Sequence, residues 1–104
     1  MSYVIWVDDV RKPPNNSKYD YIWFKYVSDV KQFISTNESL NNSYNIVYLD
    51  LDHDSGGYGP DYIKLLDWLE ETNRNYPIRI HSMNPVGAAN MRAIIERNGW
   101  REIR

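Results

Sequence analysis

The sequence of 104 residues contains no cysteine, which excludes disulfides, thiolate metal sites and a cysteine nucleophile. It has no apolar run near the roughly 20 residues that a membrane-spanning helix needs. Its N-terminus also lacks the basic segment and apolar core of a signal peptide. We therefore expect a soluble, cytoplasmic protein that makes no membrane contacts. No repeat, low-complexity tract or linker divides the chain, so residues 1–104 are predicted to form a single domain.

An excess of positive charge is absent as well. Twelve Lys and Arg residues face fourteen Asp and Glu residues, which gives a formal net charge of −2. Proteins that bind long duplex nucleic acid neutralise many phosphates, so this balance argues against such a partner. A small anionic ligand needs only a few local cations, and the composition permits one.

Aromatic residues, by contrast, are abundant, with four Trp, nine Tyr and two Phe. One interpretation is a core built from large side chains. The other is that some of these rings, such as Tyr58 in a glycine-rich loop, stack on a base. Hydrophobic residues make up 42% of the chain, which is enough for one real core in a domain of this size.

Short β-branched and aromatic runs predict five strands, which cover residues 3–7, 21–27, 46–51, 78–80 and 100–104. Helical spacing of apolar residues predicts three helices, which begin near Ser28, Pro60 and Asn84. This alternation indicates an α/β fold with a mostly parallel sheet, and right-handed crossovers predict helices on both faces. Residues 11–20 are proline-rich and form a predicted loop, too short for a full helix between the first two strands.

The last helix has the clearest predicted boundaries. Asn84 is a favourable N-cap, and Pro85 suits the first helical position because its missing N–H is not needed there. Gly99 fits the position just after the helix, where the backbone becomes left-handed.

Polar residues cluster where three of the predicted strands end. Ligands of open parallel sheets bind beyond the carboxyl ends of the strands, so these residues should meet at one edge. Both histidines of the chain belong to this set. Its members are Asp8, Asp9, Arg11, Asp50, Asp52, His53, Asp54, His81, Ser82 and Asn84.

One chemistry that fits this edge is acid–base cleavage of a phosphodiester. It needs two groups that titrate near neutrality, and histidine suits both roles. His53 and His81 would flank the ligand, and Asp52 or Asp54 would orient an imidazole. Phosphate would be held by Arg11, by Ser82 and Asn84, and by the free N–H groups of the last helix. The structural alternative is that both histidines only cap strand ends.

Two further chemistries use the carboxylates. Asp8 and Asp9, with Asp52 or Asp54, could bind Mg²⁺, which takes carboxylates together with waters and phosphate oxygens. Clustered aspartates also serve simply as turn formers. In the third alternative Asp50 or Asp52 accepts a phosphoryl group, which would make the chain a signalling or binding module.

Three segments resemble the cyclic-phosphate-processing receiver-like domains, which are divergent relatives of response-regulator receivers. They run from Asp8 to Pro14, from Leu51 to Asp54, and from His81 to Gly87. The resemblance spans essentially the whole chain and implies a flavodoxin-like sheet of order 2-1-3-4-5 with a shortened or absent first helix. It also implies a role with cyclic phosphate ends in RNA repair. The lysine that ends the fifth strand of ordinary receivers has no counterpart, so phosphorylation switching is not expected.

The leading hypothesis is hydrolysis of a cyclic phosphate on a nucleotide, an RNA end or an ADP-ribose derivative. His53, His81 and Asp52 would be catalytic. Arg11, Asp54, Ser82 and Asn84 would bind substrate, and Asp8 and Asp9 would bind Mg²⁺. One alternative is a non-catalytic protein that sequesters a cyclic nucleotide signal, for example in viral counter-defence. Another is a degenerate receiver that acts through protein contacts.

Overall fold

The computed structural model describes residues 2–15 and 18–104, so part of the predicted loop 11–20 lies outside the described residues. Within these ranges the chain forms five strands and three helices. The strands are β1 (Ser2–Val7), β2 (Asp20–Phe24), β3 (Asn45–Leu51), β4 (Ile78–Ile80) and β5 (Glu102–Ile103). The helices are α1 (Val27–Ser39), α2 (Ile63–Glu71) and α3 (Pro85–Asn98).

All five strands are parallel and lie in the order β2-β1-β3-β4-β5. This confirms the predicted flavodoxin-like sheet and the absence of a helix between the first two strands in the described residues. Because parallel strands share one direction, their carboxyl ends lie along a single edge.

The predicted ends of α3 are confirmed, and two other helix starts are wrong. The Asn84 side chain accepts a hydrogen bond from the Gly87 N–H, and Gly99 ends the helix with a left-handed φ of 66°. Helix α1 instead begins after Tyr26, so Ser28 lies in its first turn and is not the cap. Helix α2 begins at Ile63, later than Pro60 suggested, because the loop before it continues through Tyr62.

The three helices bury their apolar sides in one cluster. Alternate residues of the central strands enter this cluster, among them Ile5, Val7, Leu49 and Leu51, each fully buried. Side chains of a strand alternate between the faces of its sheet, so these residues mark a single face. The described helices therefore cover one face, and the predicted placement on both faces is wrong.

The order of the strands explains this arrangement. The connections through α1, α2 and α3 all step across the sheet in the same direction, so right-handed crossovers bring the helices to one side. Only the step from β1 to β2 runs the other way, and its described residues contain no helix. The opposite face carries Trp6, whose indole donates to the Arg11 carbonyl at 2.7 Å and leaves the residue 3% exposed.

None of the described helices is long and apolar enough to cross a lipid bilayer.

Candidate functional site

The ladder of backbone hydrogen bonds continues past the ends of the strands and aligns the residues that follow them. The Asp8 N–H donates to the Phe24 carbonyl at 3.2 Å, and the Asp52 N–H donates to the Val7 carbonyl at 2.9 Å. The His81 N–H donates to the Leu51 carbonyl at 2.9 Å. As a result the first residues after β2, β1, β3 and β4 stand side by side at the carboxyl edge. They are Lys25, Asp8, Asp52 and His81.

Three carboxylates converge at this edge. Asp8, Asp9 and Asp52 each offer an oxygen, and these oxygens lie within 4.8 Å of one another. A Cβ added at Gly56 would collide with the Asp9 carboxylate, so the glycine-rich loop lies directly against the acidic triad. The predicted metal ligands Asp8 and Asp9 are thus brought together with Asp52.

The surroundings of Asp8 and Asp52 shift the pKa values of these two carboxyl groups in opposite directions. Burial raises the pKa of Asp8, but hydrogen bonds from the Arg11 N–H, the His81 ring and the Val10 N–H outweigh it and lower that pKa overall. Burial raises the pKa of Asp52, and the neighbouring charge of Asp8 adds to the effect. Hard oxygen ligands and mutual repulsion of like charges make the triad a suitable site for Mg²⁺.

His81 is held on three sides. Its Nδ1 lies 2.7 Å from Asp50 Oδ1, its Nε2 lies 2.9 Å from Asp8 Oδ2, and its ring stacks on Trp6 with centroids 3.9 Å apart. Its side chain is 6% exposed. A neutral imidazole has one donor and one acceptor, so only the doubly protonated ring donates to both ionised carboxylates. The structure therefore does not give His81 the open position expected of an acid–base partner.

Asp50 is equally enclosed. Its carboxylate contacts His81 and also the Arg79 guanidinium at 3.2 Å, and its side chain is 2% exposed. A phosphoryl acceptor must be reached by an incoming phosphate, so this burial argues against Asp50 in that role and leaves Asp52 as the more accessible carboxylate.

His53 has an open ring nitrogen. Its Nδ1 lies 2.7 Å from Asp54 Oδ1, and the Asn84 amide donates to the same oxygen at 3.4 Å. The hydrogen bond from His53 lowers the pKa of Asp54. No described residue bonds to Nε2, and no buried side-chain polar atom in the described ranges lacks a partner, so Nε2 contacts solvent.

The first turn of α3 packs against the His53 ring. A Cβ added at Gly87 would collide with the imidazole, so the ring lies directly on the glycine backbone. Only glycine allows such a close approach.

The other predicted ligand residues lie around the same edge. The Arg11 guanidinium is near the surface and donates to the His81 carbonyl at 3.2 Å. The Ser82 hydroxyl oxygen accepts from the Asn84 N–H at 3.0 Å, and Asn84 caps α3. The structure thus brings these three residues to the site, with the Ser82 and Asn84 oxygens already engaged in the helix cap.

Sequence reasoning missed two positioning residues. Trp6 precedes Asp8 by two positions, so strand alternation places both on the same face and could have revealed the Trp6–His81 stack. The contact of Gly87 with His53 had no comparable signal, because it depends on how closely α3 approaches the loop after β3.

The sheet order and the acidic triad at its carboxyl edge define a receiver-like α/β domain. Among solved structures, the chain resembles the response regulator LqsR of Legionella pneumophila with a TM-score of 0.65 and 18% identity. The alignment covers 99% of this chain and 38% of LqsR, and an identity of 18% supports the fold alone.

The sequence matches the family described as cyclic-phosphate processing receiver domain over residues 3–97, and the chain belongs to that family. No curated protein matches the sequence.

Proposed function

We propose that this domain hydrolyses a cyclic phosphate on a nucleotide, an RNA end or an ADP-ribose derivative, with His53 as the acid–base group. The observation that carries the proposal is the His53 imidazole, whose Nδ1 is bound to Asp54 and whose Nε2 contacts solvent, in the residue that directly follows Asp52 of the acidic triad. Membership in a family named for cyclic-phosphate processing agrees with this class of ligand.

In the proposed reaction, water adds to phosphorus and one P–O bond of the ring breaks, which leaves a phosphomonoester. Nε2 of His53 takes a proton from the water and returns one to the leaving oxygen. Asp54 accepts the Nδ1–H of the ring, so the neutral imidazole presents its lone pair at Nε2. The Gly87 backbone keeps the ring in this orientation.

The remaining residues bind and position the phosphate. Asp8, Asp9 and Asp52 would hold Mg²⁺, which would neutralise charge on the phosphate oxygens when bound. The guanidinium of Arg11 would contact the phosphate from the surface. His81 is a positioning residue in this scheme, because its contact with Asp8 fixes one carboxylate of the triad.

The second candidate function is a non-catalytic binder of a cyclic nucleotide. The enclosure of His81 favours it, since only His53 then has an open nitrogen and a two-histidine mechanism lacks its partner. Both candidates use the same edge of the sheet, and they differ in whether product forms.

The test is ³¹P NMR of the protein with 2′,3′-cyclic mononucleotides, an ADP-ribose cyclic phosphate and cyclic dinucleotides, each with Mg²⁺ and with EDTA. We expect a new phosphomonoester resonance with Mg²⁺ that His53→Gln and Asp52→Asn fail to produce. Asp67→Asn is the matched control, because Asp67 pairs with Lys64 on the surface of α2. Shifts without product at stoichiometric protein would favour the binder, and no change with any ligand would contradict both.

A further inference from the structure

Lys25 lies next to Asp8 at the carboxyl edge of the sheet. It follows β2 directly, and the hydrogen bond from the Asp8 N–H to the Phe24 carbonyl sets it beside Asp8 in register. Neighbouring strands lie about 4.8 Å apart. The Lys25 backbone therefore lies one strand away from that of Asp8, a member of the acidic triad.

Aromatic rings surround the Lys25 ammonium group. Its Nζ lies 5.4 Å from the centroid of the Trp23 ring and 5.0 Å from that of Tyr58, and no carboxylate in residues 2–15 or 18–104 forms an ion pair with it. In the described residues, six basic side chains pair with carboxylates, whereas Lys25, like Lys31, lies over an aromatic ring; the six are Lys64, Arg74, Arg79, Arg92, Arg97 and Arg104. Aromatic rings attract an ammonium group but carry no negative charge. The Lys25 ammonium can therefore still form an ion pair with a bound anion.

Two hydrogen bonds connect the Trp23 side chain and the Lys25 backbone to residues of the site. The Trp23 indole donates to the Asp8 carbonyl at 2.8 Å, and the Tyr62 hydroxyl donates to the Lys25 carbonyl at 2.8 Å. Tyr62 in turn donates its N–H to the His53 carbonyl. The group is thus tied to both the acidic triad and the loop of His53.

An exposed ring completes the arrangement. Tyr26 is 43% exposed and lies edge to face with Tyr58, with centroids 5.5 Å apart. We name Trp23, Lys25, Tyr26 and Tyr58 the Lys25 subsite. It combines an ammonium group without an acidic partner with a solvent-facing ring, which together suit a phosphate and a base.

We propose that the Lys25 subsite binds the phosphodiester and base of the nucleotide that precedes the cyclic phosphate, so that the ligand is an RNA end and not a mononucleotide. This inference rests on the proposed function, since it places the cyclic phosphate at the acidic triad. The diphosphate and adenine of an ADP-ribose derivative share the same chemistry, and the test distinguishes the two sources.

The test compares dissociation constants for three ligands in the His53→Gln background, where the ligand is not consumed. The ligands are 2′,3′-cyclic AMP, the dinucleotide ApA ending in a 2′,3′-cyclic phosphate, and ADP-ribose 1″,2″-cyclic phosphate. Lys25→Gln is compared with the matched control Lys31→Gln, because Lys31 lies 6.0 Å above the Trp68 ring on the helix side of the molecule. Circular dichroism verifies that each variant is folded.

We expect the dinucleotide to bind about tenfold more tightly than the cyclic mononucleotide, from one added phosphate contact and one stacked base. Lys25→Gln should remove most of this difference and leave mononucleotide binding unchanged, while Lys31→Gln should preserve it. A gain confined to the ADP-ribose ligand would support the subsite but overturn RNA as its source.

Equal affinity for all three ligands, or an equal loss for every ligand in Lys25→Gln, would overturn the inference and leave the proposed function intact. Failure of every ligand to bind would contradict the proposed function, and the inference with it.

Discussion

The two histidines of this chain differ in what surrounds their ring nitrogens. His81 is enclosed by Trp6, Asp8 and Asp50, whereas His53 keeps one nitrogen in solvent. A buried carboxylate that loses its hydrogen-bonded partner is left with an uncompensated charge. The two residues should therefore respond very differently to removal.

Substitution His81→Ala should lower the free energy of unfolding by about 3 kcal/mol, because it leaves Asp8 and Asp50 buried without the ring between them. His53→Ala, the comparison, should cost less, because its partner Asp54 is 60% exposed and is not left as a buried charge without a counter-ion. Urea denaturation at pH 7 measures both. Equal losses for the two variants would show that His81 does not hold the buried carboxylates together.

The contact between Gly87 and the His53 ring makes the position of that ring sensitive to a single methyl group. Gly87→Ala should displace the imidazole and reduce turnover at least about tenfold, because misplaced catalytic groups lose rate steeply. NMR shifts of the His53 ring protons give a readout independent of activity. Val86→Ala is the control at an exposed neighbour. Unchanged ring shifts and turnover in Gly87→Ala would contradict the proposed role of this contact.

At the scale of elements, the end of α1 is tied to the segment that leads into β4. The Glu38 carboxylate accepts hydrogen bonds from the Arg74 guanidinium at 2.7 Å and from the Tyr76 hydroxyl at 2.9 Å. Hydrogen bonds from Arg74 lower the pKa of Glu38 by more than burial raises it, and the Tyr76 hydroxyl lowers it further. These hydrogen bonds link the end of α1 to the segment between α2 and β4, on the helix-covered side of the sheet.

A lowered folded-state pKa means that this stability is present above the ordinary Glu value of 4.5 and is lost as the pH falls through the folded pKa. Glu38→Gln should therefore cost about 1 kcal/mol at pH 7, since the pair is partly exposed. The difference from wild type should shrink as the pH falls below 4.5. Urea titrations at several pH values measure it, with Glu96→Gln as the control. A difference that does not depend on pH would refute the assignment.

The elements themselves were largely predictable from the sequence. Each central strand is a short apolar run that stops at polar residues, so the strands and their common edge followed from pattern alone. The placement of the helices was predicted wrongly: helices were expected on both faces of the sheet, and all the described helices lie on one. The general expectation of two covered faces assumes a helix in the one connection that runs backward, and residues 8–19 do not supply one in their described part.

The residues that form the site could be predicted from the sequence, but their geometry could not. The polar residues after β1, β3 and β4 named its members, because parallel strands bring those ends together. Which histidine is enclosed depends on side-chain direction and packing depth, and the sequence carried only a weak signal for either. Trp23 and Lys25 were missed for another reason: they lie within the run assigned to the second strand, which was extended past its true end at Phe24.

In the whole molecule, the candidate site lies at one edge of the sheet and the described helices lie on one face. The net charge of −2 is not spread evenly, since three carboxylates meet at the edge of the sheet that also carries Lys25 and Arg11. Such a mixture of charges suits a phosphate ligand held through a divalent cation. We propose that the acidic triad and the cyclic phosphate belong to one site.

The most direct test is the broadening that Mn²⁺ causes in the ³¹P resonance of 2′,3′-cyclic AMP bound to the His53→Gln protein. We predict strong broadening with this protein, loss of the effect when Asp52→Asn is added, and no loss when Asp67→Asn is added on the surface of α2. Equal broadening in all three proteins, or none in any of them, would contradict a shared site for cation and cyclic phosphate.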